Sequence, residues 1–373
     1  MAGSASRNFL GVQINCAQCH DSKVNDWKMK DFWGVAAFFA RTRVRRVIDP
    51  ETKQPTGVFE IVDLPTGEAA IPETKPAQVV EPTYLEGKVL HRPGGPPKFR
   101  EVNPGKNPDR AFIAGPRDGV ERRKEFANWL VADDNKWFAK AAVNWYWGQF
   151  TGVGLVDPLD DLDVTNPPSI PPALDHLTKE FRESGYDLKR LIRVICSSRA
   201  YQRSSKPTPA NAKDERFYSH RKLGHLTPDQ MFYSLMSVTG LENALARGQD
   251  RDALEAAKNR FLAGFVFLFG NDEGESGDTF NGTIPQALLL MNNPQIQNGL
   301  KIGPASALGK ILQKFETPEA RVEEMYLTAL GRFPTDTEKA YFVSVIGKYQ
   351  NSKVIYEDLY WALVNSSEFQ FNH

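Results

Sequence analysis

The spacing of apolar residues predicts helices over most of the chain. From residue 119 onward, apolar positions recur every three or four residues in one segment after another, which places them on one face of a helix. These segments are residues 122–131, 138–150, 175–184, 188–196, 229–239, 285–292, 305–315, 318–330, 336–349 and 356–366. Short loops separate the last five segments, as in a helical bundle. We therefore predict a mainly α fold with a multi-helix, bundle-like domain.

The first third of the chain shows less helical periodicity and contains a segment rich in proline and glycine. Residues 9–15 form a short apolar segment, either a strand or the end of a helix, and Asp31 is placed to be the N-cap of an aromatic-rich helix. Between residues 49 and 116 prolines and glycines recur, and short β-type runs appear at 58–64, 78–80 and 88–90. We predict three parts: residues 1–48 with a cysteine motif, a small irregular β-rich insertion or linker over 49–116, and an α-helical domain over 117–373 that folds unaided.

Composition and charge place the chain among ordinary globular proteins. Of its 373 residues, 41% are hydrophobic and 25% are charged, and the 46 basic residues balance the 46 acidic residues. This balance gives no reason to expect a nucleic-acid partner. The strongest apolar run, residues 261–269, is much shorter than a membrane-spanning segment, and residues 1–9 have no apolar region of the kind that a signal peptide requires.

The most informative chemistry is the sequence Cys16-Ala17-Gln18-Cys19-His20. It combines two of the three cysteines with one of the six histidines, in the order and spacing of covalent c-type haem attachment. Two thiols three positions apart can each add to a vinyl group of one porphyrin, and the adjacent imidazole then supplies the proximal iron ligand. The same residues could instead form part of a zinc site, a redox-active pair or a disulfide. The third cysteine, Cys196, lies in a helical segment and is predicted to be buried.

Two further groups of residues are candidate ligands. Met29 is the nearest candidate for the second axial position of a haem iron, with His91, His176, His220, His225 and an open position as alternatives. A run of four aspartates, Asp157, Asp160, Asp161 and Asp163, could bind calcium or act in acid–base catalysis, with Asp160 and Asp161 as its central members. The alternative is a solvated acidic loop before a helix N-terminus.

Several stretches in a fixed order carry a resemblance that covers nearly the whole chain. They include FLGVQINCAQCHD at 9–21, RRKEFANWL at 122–130, AVNWYWG at 142–148, GVGLVD at 152–157, NPPS at 166–169, YDLKRLI at 186–192, SRAYQ at 198–202 and QALLLMN at 286–292. They resemble the planctomycete cytochrome-associated family, which is built from the paired domains of unknown function 1549 and 1553. The resemblance implies that the first 115 or so residues correspond only to the C-terminal part of the first domain, and that the protein is exported. No reaction is established for the family.

Three positions depart from the family pattern. Ser22 stands where members commonly carry a second histidine, and Trp145 stands where they usually carry arginine. The acidic loop at 272–278 replaces a segment that often contains cysteines. These departures weaken any transfer of a second metal or disulfide site to this chain.

The sequence as a whole predicts a protein of the periplasm or cell envelope that carries haem c and handles electrons. Its partner would be a cytochrome or an oxidoreductase in the same compartment. Because no signal peptide is present, we expect the chain to be an N-terminally truncated fragment of an exported protein. The alternatives are a non-haem metal-binding or hydrolase-like enzyme, in which residues 16–20 are structural, and a scaffold or interaction protein of the envelope.

Overall fold

A computed structural model describes residues 1–71, 78–92, 112–113, 115, 117–241, 255–256, 258–259, 262, 291–350 and 352–372. The described chain is mainly helical, with a few small sheets, which confirms the prediction of a mainly α fold. It forms two compact units: residues 1–203 with 207–220, and residues 204–206 with 221–373. None of the helices in the described ranges is long and apolar enough to cross a membrane.

Along the chain, the helices of the first unit come both before and after its β-rich segment. They are α1 (Ala2–Ala5), α2 (Met29–Phe38), α3 (Arg122–Leu130), α4 (Phe138–Thr151), α5 (Pro171–Glu183) and α6 (Leu188–Ser197), with a π-helical turn at Ser6–Leu10 and a 3-10 turn at Asn15–Gln18. The predicted helices at 122, 138 and 188 begin where expected, and α5 begins four residues early because Pro171 and Pro172 suit a first helical turn. The prediction that Asp31 is an N-cap was wrong. Asp31 lies inside the first turn of α2, where its carboxylate accepts the N–H of Lys28 at 2.8 Å.

Small sheets form in the predicted β-rich segment, residues 49–116, and one strand lies just before it. Strands β1 (Thr42–Ile48) and β2 (Pro55–Asp63) make an antiparallel hairpin, and β3 (Glu68–Ile71), β4 (Gln78–Val80) and β5 (Phe112–Ile113) make a three-stranded sheet in the order β4-β3-β5. The sequence missed β1. Its side chains are mostly exposed, so they show no alternation of buried and exposed residues that periodicity could detect.

One hydrophobic core joins distant parts of the first unit. Its fully buried side chains include Leu10, Phe38, Leu155, Leu174 and Ile195, which come from before and after the β-rich segment. Residues 1–48 and the helices that follow residue 117 therefore share a core. The two units divide between residues 203 and 221, and the independent folding of residues 117–373 remains a prediction.

The second unit is a group of short helices with one small sheet. Helices α7 (Pro228–Thr239), α8 (Pro294–Leu300), α9 (Ala307–Lys314), α10 (Pro318–Leu330), α11 (Asp336–Lys348), α12 (Lys353–Val364) and α13 (Ser367–Gln370) accompany strands β6 (Gly224–His225) and β7 (Phe371–Asn372). Side-chain oxygens of Thr227, Ser306, Thr317 and Thr335 cap helix starts by accepting backbone N–H groups. The predictions at 261–269 and 272–278, and most of that at 285–292, lie outside the described residues.

Candidate functional site

The cysteine motif lies on a turn that buried residues fix to the first unit. Residues 15–18 form the 3-10 turn, in which Ala17 is buried, as is Ile14 just before it. The indole N–H of Trp33, a buried residue of α2, donates to the carbonyl of Gln18 at 3.1 Å. The apolar positions around the motif therefore point into the core, whereas Cys16 and Cys19 are both exposed free thiols.

The loop after the motif is tied back to the start of α2. The N–H of Ser22 donates to the carbonyl of Trp27 at 2.9 Å, which closes the loop. The carboxylate of Asp21 accepts the N–H of Met29 at 2.9 Å and lies 3.7 Å from the ammonium of Lys28. The backbone on both sides of His20 is thus held by contacts outside the motif.

The hydrogen bonding of His20 determines which ring nitrogen is available to a metal. Its Nδ1 lies 2.8 Å from the carbonyl oxygen of Asp21, and because a carbonyl can only accept, Nδ1 carries the proton and donates. The lone pair then belongs to Nε2, on an exposed side chain. Histidines that ligate metals commonly donate their other ring N–H to a backbone carbonyl in this way.

Haem attachment and a closed zinc site place different requirements on the motif. Haem c requires two accessible thiols and one imidazole nitrogen, and residues 16–20 present all three. A structural zinc site requires four ligands in a tetrahedron. In the described part of the chain, no group of three or more His, Cys, Asp or Glu residues is placed to hold a metal ion.

The candidate distal ligands lie in different environments. Met29 is the first residue of α2, and its side chain is partly buried against the core of the first unit. His91 and His176 are exposed, and His220 is partly buried. His225 belongs to the second unit, where its ring centroid lies 4.0 Å from that of Phe371, with the rings tilted by 36°, and burial lowers its pKa. Met29 as the distal ligand remains a prediction.

The aspartate loop has a structural role in this fold. The Asp160 carboxylate, 6% exposed, lies 2.5 Å from Nε of Arg7 and accepts the side-chain amide of Gln13 at 2.8 Å. Asp161 accepts the Asn166 amide at 3.3 Å, and burial, with the nearby charge of Asp163, raises its pKa. The Asp160 contacts fasten the N-terminal segment to this loop. Calcium binding by Asp160 and Asp161 remains a prediction.

Sequence reasoning missed a cluster of buried charges, which we call the buried charge cluster. It consists of Arg41, Glu68, Arg92, Asp118 and Arg122, whose side chains are all nearly inaccessible to solvent. Glu68 accepts hydrogen bonds from all three arginines, at 3.2 Å from Arg41 and 3.1 Å from Arg92. Arg41 also makes two hydrogen bonds to Asp118, at 2.5 and 2.8 Å.

Burial and ion pairing have opposite effects on the pKa values of the residues in this cluster. Burial opposes ionisation of Asp118, but the hydrogen bonds from Arg41 and a backbone N–H outweigh it and lower the pKa of Asp118 well below its usual range. Burial lowers the pKa of Arg122. The cluster joins the start of β1, β3 and the start of α3. No local motif marks it, because its members are spread over more than eighty positions.

Two family models match the chain. One, PSCyt2, is described as a protein of unknown function (DUF1549) and matches residues 1–44. The other, PSD1, is described as a protein of unknown function (DUF1553) and matches residues 122–276. No curated protein and no solved structure matches the chain.

Proposed function

Because the chain belongs to the planctomycete cytochrome-associated family of paired DUF1549 and DUF1553 domains, we propose that residues 16–20 carry one covalent c-type haem. The observation that supports the proposal is the exposure and hydrogen bonding of residues 16–20. Two free thiols are exposed on one short turn, and the neighbouring imidazole is held with its Nδ1 proton on the Asp21 carbonyl. Accessible thiols and an oriented imidazole are what haem attachment at this motif would require, and they support the proposal.

Each residue of the motif has a distinct role in this proposal. Cys16 and Cys19 would each add their S–H across one vinyl group, so that a thioether bond forms and the proton goes to the vinyl carbon. Nε2 of His20 would ligate the iron, with the ring orientation set by the hydrogen bond to Asp21. The attached haem would supply reversible one-electron transfer.

A haem at this position would support an electron-transfer role, and the family match favours the periplasm or cell envelope as its compartment. Since the motif lies on an exposed turn, a cytochrome or oxidoreductase could approach it without opening the core. The hydrolase-like alternative rests on the aspartate loop, and there Asp160 is already engaged by Arg7 and Gln13. We therefore favour electron transfer over acid–base chemistry.

The test is covalent attachment in a host that exports the chain and has c-type haem maturation. We expect haem to remain on the polypeptide after denaturing electrophoresis, with the mass of the chain plus one haem. Cys16→Ala and Cys19→Ala should each remove one thioether bond, whereas Cys196→Ala should change nothing, because that thiol lies on α6. An apo mass for the unaltered chain under these conditions would refute the proposal.

The axial ligands can be tested on the same material. His20→Ala should change the spin state of the iron, and Lys23→Ala, at an exposed residue near the motif that is not a candidate ligand, should leave it unchanged. If Met29 is the distal ligand, the oxidised protein should show a sulfur-to-iron band in the near infrared that Met29→Ala abolishes. Rapid binding of carbon monoxide by the ferrous protein would instead indicate an open position.

A further inference from the structure

The hairpin of β1 and β2, residues 42–63, exposes several large apolar side chains to solvent. The side chains of Val44, Phe59 and Ile61 are each 59% exposed, and that of Val58 is 58% exposed. Val44 lies directly opposite Ile61 in the register, and Arg46 lies opposite Phe59, over whose ring its guanidinium stacks at 5.6 Å. The side chains of Val44, Arg46, Phe59 and Ile61 therefore share one face of the hairpin, and that of Val58 lies on the other.

Two strands alone are marginally stable in water. A hairpin of this length, with apolar side chains in solvent, is the kind of edge that other strands pair with. The two strands form a sheet by themselves, with no third strand among the residues that the structure describes. Strand β2 also lies between the two ranges that the family models match, so neither model covers it.

The register shows which backbone groups face outward on each strand. The N–H of Leu64 donates to the carbonyl of Arg41 at 2.8 Å, so these two residues form a hydrogen-bonded pair. Hydrogen-bonded pairs alternate along an antiparallel ladder, so Arg45 and Glu60 also form one. The N–H and C=O groups of Val44 therefore point to the outer edge of β1, and those of Phe59 and Ile61 point to the outer edge of β2.

The outer edge of β1 is unsuited to pairing with itself. The register of β1 is regular only as far as Arg46, so symmetric antiparallel pairing of two β1 strands within this part is centred on Arg43, Val44, Arg45 or Arg46. A centre on Val44 places Arg43 opposite Arg45 of the second copy, and each of the other three places an arginine opposite itself. Like charges directly opposite one another are destabilising.

Two copies of β2 can pair through their outer edges in a register that places no like charges opposite one another. Centred on Phe59, antiparallel pairing places Phe59 opposite Phe59 of the second copy. It places Ile61 opposite Gly57, which has no side chain to interfere and whose positive φ of 80° marks an irregularity in β2. On the other face Val58 lies opposite Glu60, so no two like charges are opposed. Phe59 is one of the residues with outward backbone groups, as this register requires.

We propose that two copies of this chain pair through the outer edges of β2, antiparallel and centred on Phe59. The product is a four-stranded sheet in which Val44, Ile61 and Phe59 of both copies form one continuous apolar stripe. Aromatic and β-branched cross-strand neighbours of this kind stabilise sheets. The pairing is independent of haem, so its success or failure does not bear on the function proposed for residues 16–20.

Proline substitutions on the two edges provide a matched test by sedimentation. Ile61→Pro removes an outward N–H from β2, and Val44→Pro removes one from β1, directly opposite and equally exposed. Neither change removes a hydrogen bond within the hairpin, and both impose the same ring on a strand. We expect the unaltered chain and Val44→Pro to dimerise, and Ile61→Pro to raise the dimer dissociation constant about tenfold or more, since one hydrogen bond is lost from each copy.

Cross-linking fixes the register. Residues of a hydrogen-bonded pair have Cα atoms about 5.5 Å apart, which suits a disulfide. Phe59→Cys should therefore give a dimer linked through residue 59, identified by peptide mapping, whereas Val44→Cys should not link. A monomeric parent chain, equal effects of the two prolines, or capture of a different protein in place of a second copy would overturn the proposal.

Discussion

Replacing Glu68 by glutamine should strongly destabilise the first unit. Glu68 is 0% exposed and accepts hydrogen bonds from three buried arginines. Glutamine keeps the shape of the side chain but removes its charge, so three guanidinium groups would then share the single carboxylate of Asp118. Breaking a buried ion pair by removing one partner costs about 3–5 kcal/mol. Since a typical domain is stable by only about 5–15 kcal/mol, the loss should be readily measured.

The exposed pair Arg45–Glu60 supplies the control. Its nitrogen and oxygen lie 2.7 Å apart, but Glu60 is 41% exposed. Surface pairs contribute about 0–1 kcal/mol, so Glu60→Gln should barely change stability. Urea unfolding followed by circular dichroism and tryptophan fluorescence would give both free energies of unfolding. Equal, small losses for the two variants would refute the reasoning that burial makes the cluster costly to disrupt.

Three further predictions concern pH, helix capping and core packing. Because the pKa of Asp118 is lowered in the folded chain, the ionised carboxylate stabilises the fold above pH 3.8, its ordinary pKa, and this contribution is lost as the pH falls below that value. Thermal unfolding measured across that pH range should therefore show a smaller loss of stability on acidification for Asp118→Asn than for the unaltered chain. Thr335→Ala removes the oxygen that accepts the N–H of Glu338 at 3.3 Å, and should cost about 1 kcal/mol in urea unfolding, with little change in the far-ultraviolet spectrum. Met325→Ala, at a fully buried position of α10, should cost about 2–5 kcal/mol by the same assay, and a loss near zero would mean that the core of the second unit is not packed as described.

The sequence predicted the elements whose signals are local. Helices α4 and α10 were placed to within one residue, because a long apolar period is combined in α10 with the signal Thr317-Pro318 at its start. The cysteine motif was likewise recognised from five adjacent residues. What the sequence could not show is the contact between His20 and Asp21, which depends on the path of the backbone in a loop without regular structure.

The missed features depend on long-range contacts. Strand β1 is exposed on both faces, so its stability comes from pairing with β2 and not from a pattern of its own. The buried charge cluster joins Arg41 to Arg122 through Glu68, and each of these residues alone has the sequence context of an ordinary surface charge. Arg7 and Asp160 meet across the fold in the same way. Such pairs become visible only when the topology is known.

The shared core of the first unit has a consequence for the order of events during synthesis. Leu10 and Tyr218 are buried in the same cluster, so this core cannot close until the chain has been made well past α6. Residues 16–20 precede all of these later segments in the chain. Exposure of their thiols requires no later residue, so the haem attachment proposed above does not need a closed core. In an exported chain it could take place before the core of the first unit closes.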